Sequence, residues 1–485
     1  MKKPIVSFVI PVYKKDPEIF RQCLRSLFDQ SLKDFEVICV FDGSDAALEQ
    51  VASLFPVERL VIDHAGAPAA RNAGFEAAKG TYVVAWDADC YIKPEAAKRW
   101  VQEFEKDPTI DFVYTGYELA GERGGFESEP FDHFSLTSGN YICSMAPIKR
   151  EKAHEWDETL KGAQDWDYWL TAAERGLKGS WIPGSAFITD NSGTGISEGA
   201  WSAEKRGETI RRVKEKHGIP DRKVGVYTHQ YYANGLKLAK ILDADFIKPS
   251  GKSFEEYEMV FVFGYGWASR FDGIPKEVVK IQYWVPAEIA GLCEAKYSVV
   301  LETVRVAKGV INLCNTEYEK NRLADLGIEA EVVPLPLAEV DLENVCTTLP
   351  EKFKVLLVTD EAYGKLLKEI PQDLPHIEFV HGEASIKECS CVMSFYRFSA
   401  LDDALLLAHV NGRNVISNVQ APYCGFVDPD AEYEDFKKAL YEKIREVKAA
   451  AFNKEAQEYY LDFADPKKFA ENILSRSRRV LEVVA

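Results

Sequence analysis

The sequence predicts an α/β protein of three domains, because runs with the period of strands alternate with runs with the period of helices along most of the chain. A chain of 485 residues that is 46% hydrophobic can form several separate cores, since single cores stop growing at roughly 250 to 300 residues. The alternation restarts after a charged segment at residues 205–221 and after a proline-rich connector at 334–352. We therefore expect domains at residues 1–221, 222–345 and 346–485.

The first domain is predicted to contain a mixed sheet with helices on both faces. The predicted strands are residues 5–11, 35–41, 59–62 and 81–86, and the predicted helices are 19–30, 46–54 and 67–79. Strands separated by helices pair in parallel through crossover connections. Ligands of such sheets bind beyond the carboxyl ends of the strands, where Asp42 and the Asp87–Ala88–Asp89 triplet fall.

The second half of the chain repeats the strand and helix alternation. Strands are predicted at 224–227, 259–263, 278–283, 310–313 and 330–333, then at 354–359, 378–380, 391–395 and 414–417. From Tyr433 the sequence is helical in pattern and rich in lysine and glutamate. Two further parallel sheets are expected.

Composition disfavours one class of function and indicates a compartment. The net charge of −18 is spread over the whole length, which disfavours a nucleic-acid interface, since such an interface needs a basic face. The apolar run near the start is broken by Pro11 and by the charges from Lys14 onward, and no run reaches the roughly 20 apolar residues that span a bilayer. The ten cysteines contain no CxxC pair. We expect a cytoplasmic protein with reduced thiols.

Asp87 and Asp89 are candidate ligands of a divalent cation, because two carboxylates separated by one residue at a strand end can coordinate such an ion. In a chain with 77 acidic residues, a pair with this spacing is more often a turn or a helix cap. Their position after a strand of the predicted sheet favours the metal site. Asp45 and Asp63 also follow strands, where a capping or solvated carboxylate is the expected role.

Four segments together resemble a known family of enzymes. They are VSFVIPVYKK near the start, FDGSD at 41–45, GAPAARNAGFEAAKGTYVVAWDADCYIKPEA at 66–97 and GAQDWDYWLTAAERG at 162–176. In this order and spacing they resemble the catalytic domain of family 2 glycosyltransferases, the large inverting GT-A group. The resemblance covers about residues 4–200 and implies a Rossmann-like GT-A fold.

The resemblance implies a role for each matching residue. Asp42 would contact the nucleotide base, Arg71 would lie close to the nucleotide, and Asp87 and Asp89 would bind the ribose and the metal-bound diphosphate. Asp165 would be the general base. Two further residues of the first segment, Pro11 and Tyr13, would also line the nucleotide site. The implied cofactor is Mn²⁺ or Mg²⁺.

Two departures from the family pattern accompany these matches. Gln164 stands where the family usually has a glutamate before the base, so a residue that helps to position the acceptor or the base has lost its charge. The later segment FITDNSGTGIS lacks the arginine or histidine that many members supply, leaving Asp190 or Asn191 near the site without a defined role.

Tryptophans are concentrated around the expected base, and their flat faces could stack on sugar rings. The five that fall there, of nine in the chain, are Trp156, Trp166, Trp169, Trp181 and Trp201. Trp166 and Trp169 are three residues apart and could instead bury one face of a helix. We expect Trp169 in the core and leave Trp156 open.

The second half resembles, more faintly, the two Rossmann-like lobes of a GT-B glycosyltransferase of family 4. The similar segments are CNTEYEKNRLADLGIEAEVVPLPL and ALLLAHVNGRNVIS. The donor-binding glutamate of that family would fall at Leu407, and an apolar side chain cannot accept hydrogen bonds from a ribose. This half is therefore either a degenerate module that docks partners and acceptors, which we prefer, or a second transferase with altered donor contacts.

These features predict an inverting, metal-dependent glycosyltransferase. Its donor would be a nucleotide-diphosphate sugar, expected to be a UDP-sugar, and its acceptor a glycan, a lipid-linked intermediate or a glycoconjugate. The alternatives are a bifunctional two-site enzyme and a non-catalytic scaffold for glycan enzymes. With a lipid-linked acceptor, a basic patch of Arg476, Arg478 and Arg479 would suit peripheral contact with the inner face of a membrane, although such patches are more often solvated faces. The oligomeric state is not predicted.

Overall fold

The structure is a computed structural model, and it divides into two compact units, Met1–Asp221 and Arg222–Ala485. In the first unit it describes residues 3–121, 125–126, 128–189 and 203–221. The described residues of the second unit are 222–228, 232–247, 254–263, 274–285, 289, 292, 295, 303–308, 310–315, 317–333, 346–359, 369, 372–375, 377–381, 386–395, 403–418, 423–428, 431–463, 465–471 and 473–474. Asp190, Asn191, Trp201 and the patch of Arg476, Arg478 and Arg479 lie outside the described residues.

The first unit contains a mixed sheet of nine strands. The strands are β1 (Val6–Val12), β2 (Phe35–Asp42), β3 (Glu58–Ile62), β4 (Tyr82–Ala85), β5 (Cys90–Ile92), β6 (Phe112–Leu119), β7 (Gly125–Phe126), β8 (Ile148–Lys149) and β9 (Gly179–Thr189). Their order is β3-β2-β1-β4-β8-β6-β9-β5, with β7 paired to β6. The first four are parallel, whereas β8 is antiparallel to both of its neighbours.

Seven described helices cover this sheet. They are α1 (Pro17–Phe28), α2 (Ala46–Ala52), α3 (Ala67–Ala77), α4 (Ala96–Lys106), α5 (His133–Ser138), α6 (Gln164–Glu174) and α7 (Ala203–Lys216). Strand β1 alternates between the two faces, so that Phe8 and Ile10 pack in the core beneath α1 and α4, while Val9 packs in the core beneath α3 and α6. Both faces of the sheet are therefore buried, as expected of a parallel sheet with crossover helices.

Helix α3 lies unusually close to β1. A Cβ atom built on Gly74 would come within 2.1 Å of a methyl group of Val9, so this position accepts only glycine without a shift of the helix. Gly66 precedes the helix with φ of 102°, a conformation that favours glycine. Because α3 carries Arg71, these two glycines help to set where its guanidinium lies.

The second unit contains two parallel sheets. The first has the order β11-β10-β12-β13-β14-β15 and the second β17-β16-β18-β19-β20. Their strands are β10 (Val224–Thr228), β11 (Asp245–Ile247), β12 (Met259–Phe263), β13 (Val279–Tyr283), β14 (Ile311–Cys314), β15 (Glu331–Val332), β16 (Lys354–Thr359), β17 (Glu378–His381), β18 (Cys391–Phe395), β19 (Asn414–Ser417) and β20 (Cys424–Phe426). Its helices include α8 (Tyr232–Leu242), α9 (Glu317–Asp325), α10 (Asp403–Val410), α11 (Tyr433–Ala449) and α12 (Lys454–Phe463).

The expectation of a mixed α/β fold is confirmed. The predicted parallel strands of the first domain all occur within two residues of their expected bounds, while β5 to β9 were not predicted. The assignment of the second unit to GT-B lobes stays a prediction. None of the described helices combines the length and the apolar character needed to cross a bilayer.

Candidate active site

A cleft of about 690 Å³ lies at the carboxyl edge of the parallel strands. Strands β2, β1 and β4 are neighbours and end at this edge, since Val12 pairs with Phe41 and Val9 pairs with Ala85. Helix α6 contributes its first turn. The lining includes the seven residues to which the resemblance gave a role in the nucleotide site, the metal site or catalysis: Pro11, Tyr13, Asp42, Arg71, Asp87, Asp89 and Asp165. A volume of this size suits a small-molecule ligand.

Asp42 is held rigidly at the end of β2. Its carboxylate accepts hydrogen bonds from the backbone N–H groups of Ala65 and Gly66, at 2.7 and 3.0 Å, and lies 2.8 Å from Nδ1 of His64. Because a carboxylate has about four acceptor positions, these three donors leave one for a ligand. The Asp42 side chain is 3% exposed, so this loop after β3 determines its orientation.

His64 and Tyr13 form a stacked pair at the same end of the cleft. Their ring centroids are 4.3 Å apart with planes inclined by 11°. Both side chains are partly open to solvent, His64 at 55% and Tyr13 at 41%. The pair therefore presents flat aromatic surface beside Asp42, which suits a planar ring such as a nucleotide base.

Asp87 and Asp89 offer the donor set that a magnesium or manganese ion requires. One carboxylate oxygen of each lies, together with Sγ of Cys90, in a group whose atoms are within 4.8 Å of one another. Mg²⁺ is commonly held by one or two carboxylates together with phosphate oxygens of the substrate. Burial, and then the charges of Asp87 and Asp89, raise the pKa of the Cys90 thiol well above its ordinary value, and a protonated thiol is a poor ligand for a hard cation. The oxygen pair therefore fits Mg²⁺ or Mn²⁺.

Each carboxylate of this pair contacts a cationic side chain of the protein. Nη2 of Arg71 donates to Asp87 Oδ1 at 3.2 Å, and Nζ of Lys15 forms an ion pair with Asp89 Oδ2. The Asp87 side chain is 36% exposed, and that exposed part opens into the cleft. Burial of the remainder raises the pKa of Asp87, Arg71 opposes this effect and Asp89 adds to it.

Arg71 connects three parts of the site. Besides Asp87, its guanidinium donates through Nη1 to Gln164 Oε1 at 2.9 Å and lies over the ring of Trp156, 4.6 Å from the centroid. Gln164 also donates to the carbonyl of Leu160 at 3.0 Å. The neutral Gln164 thus positions Arg71 without neutralising it, so the positive charge of Arg71 remains directed at Asp87 and the cleft.

Asp165 lies in the first turn of α6, beside Gln164. Its carboxylate accepts a hydrogen bond from the backbone N–H of Trp166 at 3.0 Å. Burial raises the pKa of Asp165, the Trp166 N–H and Arg71 lower it, and the charge of Asp87 raises it, with a net increase. A carboxylate with a raised pKa is a stronger proton acceptor, which is the property required of a general base.

The tryptophans near Asp165 support the site from the core rather than lining it. Trp169 is fully buried and stacks on Phe112 at 4.7 Å, as expected. Trp156 and Trp166 are also buried, at 2% and 4% exposure. Trp156 lies between Tyr168, 4.1 Å away, and the Arg71 guanidinium. The expected core position of Trp169 is therefore confirmed. Trp166 and Trp156, for which the sequence left the choice open, are core residues as well, since a buried ring has no free face for a sugar.

Sequence reasoning missed Lys15 and His64 as members of the site. Lys15 lies within the matched segment VSFVIPVYKK, but in the sequence its charge marks only the end of an apolar run. The sequence signal for His64 is its position after β3 and before Gly66, which places it beside two strand ends and therefore near the site. Gln164 was noted as a lost charge, and the structure adds its contact with Arg71.

Part of the chain is similar in sequence to known glycosyltransferases. Residues 7–152 match the family model Glycosyl transferase family 2. The chain is 26% identical over 233 residues to the uncharacterized glycosyltransferase YwdF of Bacillus subtilis (strain 168), covering 44% of this chain and 84% of that protein.

Two longer relatives match over a smaller share of their length. Chondroitin synthase of Pasteurella multocida (strain Pm70) is 31% identical over 186 residues, covering 36% of this chain and 19% of that protein. Poly(ribitol-phosphate) beta-glucosyltransferase of Bacillus spizizenii is 30% identical over 188 residues, covering 34% of this chain and 29% of that protein. The family match includes Asp42, Arg71, Asp87 and Asp89 and ends before Asp165. The N-terminal part of this chain therefore contains a glycosyl transferase family 2 domain.

Proposed function

We propose that the first unit transfers a sugar from a nucleotide-diphosphate donor, in the first instance a UDP-sugar, to a hydroxyl group of an acceptor, with inversion at the anomeric carbon. The observation that carries this proposal is the convergence of three strand ends and the first turn of α6 on one cleft. That cleft combines anchored aspartates, a flat aromatic pair and a carboxyl group of raised pKa.

The proposed reaction is a single displacement. Asp165 accepts the proton of the acceptor hydroxyl as its oxygen forms a bond to the anomeric carbon. The bond between that carbon and the phosphate oxygen breaks, and the nucleoside diphosphate leaves with the electron pair. With one proton acceptor and no covalent intermediate, the product has the opposite anomeric configuration to the donor.

The remaining residues of the site bind and orient the donor. The stacked pair of Tyr13 and His64, with Asp42, would hold the base, and Arg71 would direct positive charge toward the diphosphate. Asp87 and Asp89 would hold Mg²⁺ or Mn²⁺, which when bound neutralises charge on the departing diphosphate. Gln164 would keep the guanidinium of Arg71 in place.

The names of two relatives, chondroitin synthase and poly(ribitol-phosphate) beta-glucosyltransferase, refer to polymers. This chain spans less than a third of the length of each, so the acceptor is proposed on chemistry alone: a hydroxyl group of a growing glycan or of a glycoconjugate.

The test is Asp165→Asn. The change should leave donor binding nearly intact and lower transfer by roughly a hundredfold or more, because the positioned proton acceptor is lost. Asp45→Asn is the matched control, since Asp45 caps α2 through the N–H groups of Ala47 and Leu48 and does not line the cleft. Transfer that survives in Asp165→Asn, or a product of retained configuration by proton NMR, would refute the proposal.

The second unit is proposed to dock the acceptor or a partner rather than to bind a second donor. Leu407, at the position expected for a ribose-binding glutamate, is a half-buried residue of α10. A two-site enzyme and a non-catalytic scaffold are the alternatives. Donor hydrolysis by the full chain separates them: it should disappear in Asp165→Asn if there is one site, persist if there are two, and be absent from the parent if the chain is a scaffold.

A further inference from the structure

Lys15 forms an ion pair with Asp89, one of the two carboxylates that the proposed function assigns to a metal ion. Its Nζ forms an ion pair with Asp89 Oδ2, and both side chains are about one-fifth exposed and line the cleft. Asp89 is the hydrogen-bonding partner of Lys15 among the residues that the structure describes. The pair therefore connects the segment after β1 directly with the metal-binding loop after β4.

Lys15 differs from the other cation of the site in how firmly it is held. Arg71 is buried and fixed by Gln164, Asp87 and the ring of Trp156. Lys15 lies between β1 and α1, and its ammonium group is a compact charge on a flexible four-carbon stem. Its Nζ can therefore leave Asp89 by rotation of its own side chain, without movement of a helix or strand.

We propose that Lys15 is a built-in competitor for the metal at Asp89, and that it releases this carboxylate when a nucleoside diphosphate binds. An ammonium group and a divalent cation repel each other at the distances within one carboxylate site. When a diphosphate enters, its oxygens offer Nζ an alternative partner of higher charge. The metal and the nucleotide then bind cooperatively, and the protein without a nucleotide binds the metal weakly.

This inference rests on the proposed function of the cleft and adds an order of events to it. Reciprocity requires that a nucleotide which tightens metal binding is itself tightened by the metal to the same degree. A nucleoside monophosphate lacks the second phosphate and should release Lys15 less effectively. The coupling is therefore measurable from binding alone, without turnover.

The experiment is a titration of the full chain with Mn²⁺, followed by electron paramagnetic resonance, with and without saturating UDP or UMP. In the absence of nucleotide, Lys15→Met should bind Mn²⁺ at least about tenfold more tightly than the parent, because a neighbouring like charge has been removed. Lys15→Arg keeps the charge and should bind it like the parent. Lys14→Met is the matched control, since Lys14 lies in the same cleft over the ring of Tyr13.

The titrations in the presence of UDP or UMP complete the test. UDP should tighten Mn²⁺ binding in the parent much more than in Lys15→Met, and UMP should do so less than UDP. If Lys15→Met gains no affinity for Mn²⁺, or Lys14→Met gains as much, the competition is refuted while the proposed function stands. If the parent binds neither Mn²⁺ nor UDP in any combination, both proposals fail together.

Discussion

Replacing His217 by glutamine should destabilise the first unit, and should do so more strongly at low pH than at high pH. His217 follows α7, and its side chain is 3% exposed. Its Nε2 lies 2.9 Å from Asp167 and its Nδ1 lies 2.7 Å from Glu174. Both carboxylates belong to α6, the helix whose first turn carries Asp165. The imidazole ring of His217 therefore links the end of α7 to α6, the helix that carries the proposed base, Asp165.

The size of the effect follows from these contacts. A hydrogen bond to a charged group contributes about 1.5–3 kcal/mol, and His217 makes two. Lys216 still contacts Asp167 at 2.7 Å and also Asp157, so Asp167 does not become an unpaired buried charge. We expect His217→Gln to lower the free energy of unfolding by about 2–4 kcal/mol at low pH, below the sum of two such bonds.

The pH dependence follows from the direction of the pKa shift. Burial lowers the pKa of His217, but the hydrogen bonds to Asp167 and Glu174 outweigh it and raise the pKa above the ordinary value of 6.5. A group whose pKa is raised on folding stabilises the folded state fully below its unfolded pKa, and this contribution is lost as pH rises through the folded value. The difference between parent and variant should therefore shrink from pH 6 to pH 9.

Thermal unfolding followed by tryptophan fluorescence measures this difference, because seven of the nine tryptophans precede residue 222. At pH 6 the variant should melt about 5–15 °C below the parent, the range expected for 2–4 kcal/mol in a unit of this size. His133→Gln, at an exposed position on α5, is the control. A difference that stays constant or grows with pH would refute the doubly bonded, charged state of His217.

Three further predictions concern the cleft. Arg71→Lys should weaken UDP binding by roughly tenfold, because an ammonium group lacks the planar fork with which the guanidinium bonds Gln164 through Nη1 and Asp87 through Nη2; equal affinity by calorimetry would contradict this. Transfer should stop in excess chelator and return with Mn²⁺ or Mg²⁺, and Asp89→Asn should bind UDP less tightly in the presence of the metal. Turnover that is unaffected by the chelator would remove the metal from the mechanism. Because the pKa of Asp165 is raised, kcat/KM should fall as pH drops through a value above that of an ordinary carboxyl group; a flat profile down to pH 4 would exclude Asp165 as the base.

Sequence alone predicted the parallel part of the first sheet and the residues at its carboxyl edge. Strands β1, β2 and β4 are short apolar runs bounded by helices, and their hydrophobic pattern is local. Once these strands are parallel, their ends meet at one edge, so Asp42 and Asp87 had to lie near each other. Strands β7 and β8 were not predicted, because two residues, such as Ile148–Lys149, are too few to show any period.

The tertiary structure alone decided which charged groups meet and which rings are free. Lys15 and Asp89 are 74 residues apart in sequence, and Arg71 and Gln164 are 93 apart. No local pattern selects one partner among 77 acidic side chains, since such contacts depend on how helices and loops pack on the sheet. The same reason applies to Trp156, whose role the sequence left open and whose packing between Tyr168 and Arg71 makes it a buried support.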